Sequence, residues 1–480
     1  MNELNDNRRF TNRLTNNTLA ICIASILFLL TITSDAGITR TGSHFGRIEA
    51  FGSIFINGRE MDTSMAEITI DGRPGNESDL RLGQLVRVTG VQDDEALPTG
   101  ITRTGVASKV IVDDSVDGPI TDIDANGRIF VLGQPVLIDE TTIVDLLSGA
   151  ESAEELSIGD EVEVHGFPQA DGSVLATRIA DKVATSEFEV TGLAREVTET
   201  SFELNELVVN YAPDALGGAG MNTGDLIEVK GSVIGHAGQL IATRIELLGP
   251  IHGSSGEAGE IEGIITRFDS SAEFAIGRFR IVTTDATEYN GGGPANLDIN
   301  GDVFVRGDFD DDGMLVASSI TLRGAMVRMQ AEVYTSDAGS LTLLNISVTA
   351  NEDTVFDDAS SMDIESLSFG DIYAGDQVEV RSFKNPDSTE PLVVQRIRRV
   401  DFLKETKLQG YVTALGSPAF ELQGVRIDTG EQTKYRNLRG KKISATEFFA
   451  LMTKGSIVTA SGAQTSNSSI NATEVGFEID

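Results

Sequence analysis

The sequence predicts an all-β protein made of six tandem copies of one small barrel, and three observations carry the prediction. A Gly-Asp corner followed by alternating apolar residues and a second glycine recurs along the chain. It reads Gly159-Asp160-Glu161-Val162-Glu163-Val164-His165-Gly166, Gly224-Asp225-Leu226-Ile227-Glu228-Val229-Lys230-Gly231 and Gly301-Asp302-Val303-Phe304-Val305-Arg306-Gly307, with looser versions at Gly83, Gly375 and Gly455. About seventeen residues further on comes a second phrase, Ala176-Thr177-Arg178-Ile179, Ala242-Thr243-Arg244-Ile245 or Ala317-Ser318-Ser319-Ile320, with weaker copies opening at Ala107, Val394 and Ala472. The corners lie 76, 65, 77, 74 and 80 residues apart, which makes each unit a small domain and not one turn of a solenoid.

The second copy shows the elements in order. Residues 118–123 give a first strand, 124–127 a turn, 128–132 a second strand and 136–138 a third. Ser152-Ala153-Glu154-Glu155-Leu156 has the spacing of a capping box and predicts a short helical turn. The Gly-Asp strand at 161–165 follows, with Val162 and Val164 alternating against Glu161, Glu163 and His165 as a half-buried strand requires. A turn at Asp171-Gly172 leads to a last strand over 174–180. The order returns in copy three (188–197, 201–204, 207–211), copy four (261–268, 273–276, 279–282) and copy six (408–415, 419–422, 425–428). In copy six Ser444 and Glu447 frame a stronger helix carrying Phe448, Phe449, Leu451 and Met452.

Five short strands with a helix between the third and fourth is the order of an oligonucleotide/oligosaccharide-binding (OB) barrel, although a six-stranded barrel or small sandwich uses the same strands. The expected repeats are 45–113, 117–184, 187–248, 259–323, 327–401 and 405–480. Units of this size bury only about 60% of their unfolded surface, so neighbours are expected to lean on one another. Short linkers predict a rod or gently curved string, with a bend at the loop-like residues 249–256.

Residues 1–36 read as a secretory signal or membrane anchor. Arg8, Arg9 and Arg13 precede an apolar run over 19–33, and Ser34-Asp35-Ala36 offers small residues for cleavage after Ala36. Fifteen helical residues span about 22 Å, short of a hydrocarbon core of about 30 Å, which favours a cleaved signal over an anchor. The apolar run follows Cys22 instead of preceding it, which argues against lipidation, and Arg8-Arg9-Phe10 lacks the rest of a twin-arginine pattern. The expected location is therefore periplasmic or extracellular, with membrane contact only through this segment.

Acidic residues outnumber basic ones 74 to 37, and residues 1–36 carry three of each sign, so the repeats hold the whole charge of -37. Such a surface stays soluble and repels phosphate backbones and anionic lipid. Nucleic-acid binding would need a basic groove with stacking aromatics. This chain has no tryptophan and 6% aromatics, and Phe130, Phe202, Phe274, Phe279 and Phe304 fall at apolar strand positions that predict core. Cys22 is the only cysteine, so the repeats have neither disulfides nor a thiolate metal site.

The leading Gly-x-Ile strand, the Gly-Asp-x-Val-x-Val-x-Gly strand and the closing Ala-Thr-Arg-Ile strand resemble a bacterial domain family catalogued only as a domain of unknown function. The resemblance covers nearly all of the chain after residue 44 and is closest in copies two, three and four. Copies one, five and six depart at the corner with Gln84, Ser382 and Ser456. Members of the family are typically exported and carry the unit in tandem, so the resemblance implies fold and location and transfers no catalytic residue.

Among candidate chemistry, Asp308-Phe309-Asp310-Asp311-Asp312-Gly313 matches the start of a calcium loop, with Asp308, Asp310 and Asp312 as the ligands. The place of its bidentate Glu is taken by Ser319, and turn geometry alone explains an Asp-Gly pair. Asp122, Asp124 and Asn126 form a similar fragment. The repeated Asp160, Asp225, Asp302 and Asp376 read as turn-capping groups, and Arg178 and Arg244 as partners of the acidic surface. His44, His165, His236 and His252 occupy unrelated places in the repeat, and no metalloprotease helix, nucleophile elbow, Walker loop or dinucleotide glycine pattern occurs. The favoured expectation is a non-enzymatic exported envelope scaffold or spacer with an unknown envelope or extracellular partner. The contrasting ones are a module binding carbohydrate or divalent cations, and a hydrolase using an acidic pair.

Overall fold

The computed structural model describes residues 39–478, less 52, 94–102, 125–127, 140, 147–152, 183–186, 235–237, 338, 352–353, 363, 365–366, 385–390 and 439. The predicted signal or anchor segment, with its apolar run at 19–33, lies outside the described residues. Among the described residues no helix is long and apolar enough to cross a membrane.

The predicted all-β order is present. In repeat 2 the first strand (Val116–Ile123) pairs with the second (Ile129–Val131), the second with the third (Gln134–Leu137), and the third runs parallel to the fifth (Val174–Asp181). The fifth pairs with the fourth (Glu161–Pro168), which returns to the first and closes the ring. This 1-2-3-5-4-1 path, with its one parallel pair, is the OB arrangement. Repeats 4 and 6 close the same way. Repeats 1, 3 and 5 follow the same order with a looser seam. The first strand of repeat 1 is split into Thr39–Arg47 and Ala50–Phe51, and that of repeat 5 into Ala325–Glu332 and Thr335–Asp337. In repeat 3 the first and second strands meet at one bridge, Arg195 to Glu203.

The recurring glycines have separate causes. Gly83, Gly159, Gly224, Gly375 and Gly455 hold φ between 82° and 99°, a left-handed bend that favours glycine. The next residue then ties the corner by accepting from an amide three residues back. Asp160 takes Ser157 N, Asp225 takes Asn222 N and Asp376 takes Tyr373 N. Gln84 and Ser456, where the motif departs, do the same for Arg81 N and Thr453 N. The closing glycine marks a β-bulge in the fourth strand at Gly90, Gly166, Gly231, Gly307 and Gly462. A Cβ at Gly166 or Gly231 would lie 2.5 Å from the carbonyl oxygen of Leu175 or Ile241, and at Gly90, Gly307 and Gly462 closer still. Repeat 5 bulges at Ser382, whose hydroxyl donates to Val393 O at 2.8 Å.

The helical position between strands three and four holds single 3₁₀ turns in repeats 1 to 5 and an α-helix, Ala445–Leu451, in repeat 6. Ser444 Oγ accepts from Glu447 N at 3.2 Å, as its capping spacing predicts, and Phe448 beneath it is fully buried. A short sixth strand parallel to the fifth appears in repeats 1, 2, 4, 5 and 6, as Glu67–Ile70, Ile143–Asp145, Glu288–Asn290, Val355–Asp358 and Lys434–Arg436.

The expected string of separate units is corrected by the strand pairing. The repeats join two by two into sheets of 14, 11 and 14 strands, uniting repeats 1 with 4, 2 with 3, and 5 with 6. The joint is the first strand each time. In repeat 2 its latter half pairs with strand two, while Val116 and Asp117 face strand four on one edge and leave the other open. Unpaired backbone there would be costly and adhesive. Val190 and Glu189 of repeat 3 close that edge. Gln409, Leu408 and Lys407 do so for Arg328, Met329 and Gln330. Between repeats 1 and 4 the pairing is parallel, from Gly42 with Ala258 to Phe45 with Ile261. The apolar cores follow, one spanning repeats 2 and 3 and another repeats 5 and 6. Leu85, Phe167 and Ile264 bring repeats 1, 2 and 4 together. The loop-like residues 249–256 are held against repeat 4, with Ile251 N donating to Arg278 O and Gly256 N to Phe309 O.

Candidate functional site

The calcium-like segment lies in a tight turn. It is the hairpin between Asp302–Phe309 and Leu315–Arg323. Asp310 Oδ1 accepts from the amides of Asp312 and Met314 at 3.0 and 2.8 Å, and Asp308 pairs with Arg40 of repeat 1 at 2.5 Å. Ser319 sits in the returning strand opposite Arg306. Asp124 holds the amide and guanidinium of Arg128, and Asn126 lies outside the described residues. Arg178 pairs with Asp145 and donates to Leu82 O, while Arg244 pairs with Glu246. All five phenylalanines predicted as core are buried. Phe130 and Phe304, however, lie outside the apolar clusters and under arginines, with Arg128 5.3 Å from the first ring centroid and Arg306 and Arg323 5.0 and 5.5 Å from the second.

Among the described residues, two buried ionic clusters stand at repeat junctions. The first faces repeat 1 from the first strand of repeat 4 (Ala258–Ser270), where Glu260 and Glu262 share one face by the two-residue period of a strand. Glu260 is 3% exposed and receives Arg103 Nη1 at 2.6 Å, Arg59 Nη2 at 3.0 Å and His44 Nδ1 at 3.0 Å. Burial alone would raise this carboxyl, but Arg103, His44 and Arg59 outweigh it and hold Glu260 well below the usual range. Glu262 takes Arg323 at 2.6 Å and Arg47 at 3.1 Å. Asp302, expected to cap its corner, lies one residue past it, because in repeat 4 the corner is Asn300 (φ 62°) followed by Gly301, and its Oδ1 is buried without a hydrogen bond. Burial and the nearby Glu262 push its carboxyl up to about 6 against the pull of Arg323.

The second cluster gathers at repeats 1, 2 and 3. Glu163 and His165 share the outer face of the fourth strand of repeat 2, with His165 Nε2 2.8 Å from Glu163 Oε1 and 3.4 Å from Asp114 Oδ1 in the linker after repeat 1. Repeat 3 adds Glu189, bound to Lys230 Nζ at 2.5 Å, and Lys182 Nζ holds Asp117 at 2.5 Å. Burial, then Glu163 and Asp71, drive the Asp114 carboxyl well above the usual range. Burial and Glu163 push Asp71 to about 6, and burial and Glu228 push Glu189 to about 8. For Glu163 burial is outweighed by the hydrogen bond and charge of His165, which lower it.

These residues had a signal in the sequence that the histidine count concealed. The position before the closing glycine, or before Ser382 in copy five, is His165, Lys230, Arg306 and Arg381 in copies two to five. Each meets a carboxylate: Glu163, Glu189, Glu260 and Glu379. His44 belongs to the repeat 1 and 4 joint, His252 is exposed beside Asp312 O, and His236 lies outside the described residues. Open space is modest. A cavity of about 80 Å³ among repeats 1, 2 and 5 is lined by Arg47, Glu49, Thr141, Arg381 and Arg396. A wide groove of about 600 Å³ on repeat 6 carries Glu405, Lys407, Glu431, Lys434 and Glu474. Neither contains a nucleophile bonded to a base.

The sequence profile of a domain of unknown function, DUF5666, matches residues 117–180, 262–321, 332–390 and 409–476, slightly more than half of the chain. The chain belongs to the DUF5666 family. The matched stretches are repeats 2, 4, 5 and 6, so copies five and six fit the DUF5666 pattern despite Ser382 and Ser456, while copy three, expected among the closest, lies outside those ranges. No curated protein matches the chain.

Proposed function

We propose that this DUF5666 protein is a non-enzymatic, exported envelope scaffold, in which six OB-like barrels act as one braced body that holds or spaces other envelope components. The observation that carries the reading is where its distinctive charged side chains go. Glu260, Glu262, Arg59, Arg103, Glu163, His165 and Lys230 are used between strands and between repeats, and among the described residues no nucleophile and base are aligned in a cleft. A net charge of -37 keeps such a surface soluble and away from nucleic acid. Its partner is an envelope or extracellular component, and contact with the membrane is confined to residues 1–36.

Two measurements on cells expressing the full chain test this. Fractionation with N-terminal sequencing is expected to find the protein outside the cytoplasm beginning at Gly37, and an uncleaved cytoplasmic product would contradict export. Purified protein is expected to leave chromogenic glycosides, esters and phosphoesters unchanged. Turnover that survives repurification and disappears with one carboxylate substitution would replace the scaffold with a hydrolase.

A further inference from the structure

We infer that Asp114, Glu163 and His165 form a binding site for one divalent transition-metal ion of the zinc class, set where the first three repeats meet. Their ligand atoms, one carboxylate oxygen each from Asp114 and Glu163 and an imidazole nitrogen from His165, lie within 4.8 Å of one another. The decisive feature is an unanswered oxygen. Asp114 is 6% exposed, and its Oδ1 carries no hydrogen bond although it points at His165 Nε2, 3.4 Å away. That nitrogen has at most one proton, directed at Glu163 Oε1 at 2.8 Å. A buried carboxyl oxygen left without a donor is costly, and a cation between the three groups would bind it together with Glu163 Oε1 and His165 Nε2.

The geometry and donor set choose the ion. Bonds of about 2.0 to 2.1 Å in a tetrahedron place ligand atoms about 3.3 Å apart. The 3.4 Å separation already meets this, and the 2.8 Å pair has to open by about half an ångström once its proton leaves. One imidazole with two carboxylates suits zinc and its first-row neighbours, whereas calcium asks for six to eight oxygens. Three protein ligands leave a fourth position for water. His165 is fully buried, so its ring is already fixed in place. Around the site the carboxyl groups of Asp71, Asp117 and Glu189 outnumber the ammonium groups of Lys182 and Lys230, a surplus of oxygen ligand chemistry that favours a cation over an anion. Asp114 lies in the linker after repeat 1 and the other two ligands on a strand of repeat 2, so the ion clamps that joint.

The test uses untagged full-length protein stripped with chelator. Added Zn²⁺ at about 10 μM is expected to bind one ion per chain and to raise the melting temperature by several degrees, while millimolar Ca²⁺ does neither. Co²⁺ is expected to give the intense visible absorption of a tetrahedral site. Glu163→Gln, at a partly exposed position, is expected to weaken Zn²⁺ binding at least tenfold with the far-ultraviolet circular dichroism unchanged, and Asp114→Asn to abolish the Co²⁺ band. Failure of the wild-type protein to bind Zn²⁺ at 100 μM would overturn the site, as would full binding in a folded Asp114→Asn, Glu163→Gln double variant.

Discussion

Asp302 shows how an offset of one residue in a repeat changes what an aspartate does. Asp160, Asp225 and Asp376 cap their corners by accepting a backbone amide, but in repeat 4 the left-handed residue is Asn300 and Gly301 takes the capping position, so Asp302 stands where repeat 2 has Glu161 and lies in the field of Glu262, Arg47 and Arg323 instead. Its folded carboxyl holds a proton up to about 6, against about 3.9 for a free aspartate. The folded state therefore binds more protons across that window, and stability falls as pH rises through it. Asp302→Asn removes this cost and is expected to stabilise the protein at pH 7.5 by about 1 kcal/mol, a discounted share of a two-unit shift. The gain should shrink toward zero as pH is lowered toward about 4, which urea melts at pH 7.5 and 5 will resolve. An equal gain at both pH values, or a loss at pH 7.5, would show that the charge is not the cause. Glu260 has the opposite sign, since its surrounding cations stabilise its charged form and their benefit is lost on acidification.

At the scale of the element, the fourth strand is the most constrained piece of every repeat but the fifth, because its bulge brings two backbones too close for a side chain. Gly307→Ala would press a methyl group into Val316 and Ala317 backbone atoms and is expected to destabilise by about 3 kcal/mol. Gly220→Ala meets nothing within 4 Å and is expected to change stability by less than about 0.5 kcal/mol. Equal urea midpoints for the two variants would refute the steric account. This bulge, the corner and the alternating valines are local, so the sequence shows them directly and the strands fall where Val162, Val164 and their equivalents place them. The short sixth strand escapes notice because three residues such as Ile143, Val144 and Asp145 are too few to display a period. The site was less legible. Asp114 and His165 acquire their meaning only when a linker folds over a strand 50 residues away, and no local pattern encodes that contact.

The whole molecule differs most from its sequence reading, for the same reason. A half-used first strand is visible neither as composition nor as period, and its mate can be any other open edge. Repeat 1 therefore joins repeat 4 across two intervening repeats, through Arg40 with Asp308, Ser43 with Glu257 and the arginines around Glu260. Small repeats that would be marginal alone gain strand pairing with a neighbour and, in two of the three pairs, a shared core. The most direct test is a cross-link between Ser43 and Glu257, whose side chains meet at 2.7 Å although 214 residues separate them. In a Cys22→Ser background, Ser43→Cys with Glu257→Cys should be joined within one chain by a short thiol-reactive linker, rapidly and at any protein concentration. If the two thiols react only singly while the protein stays folded, repeats 1 and 4 are not edge-paired and the joined architecture is wrong.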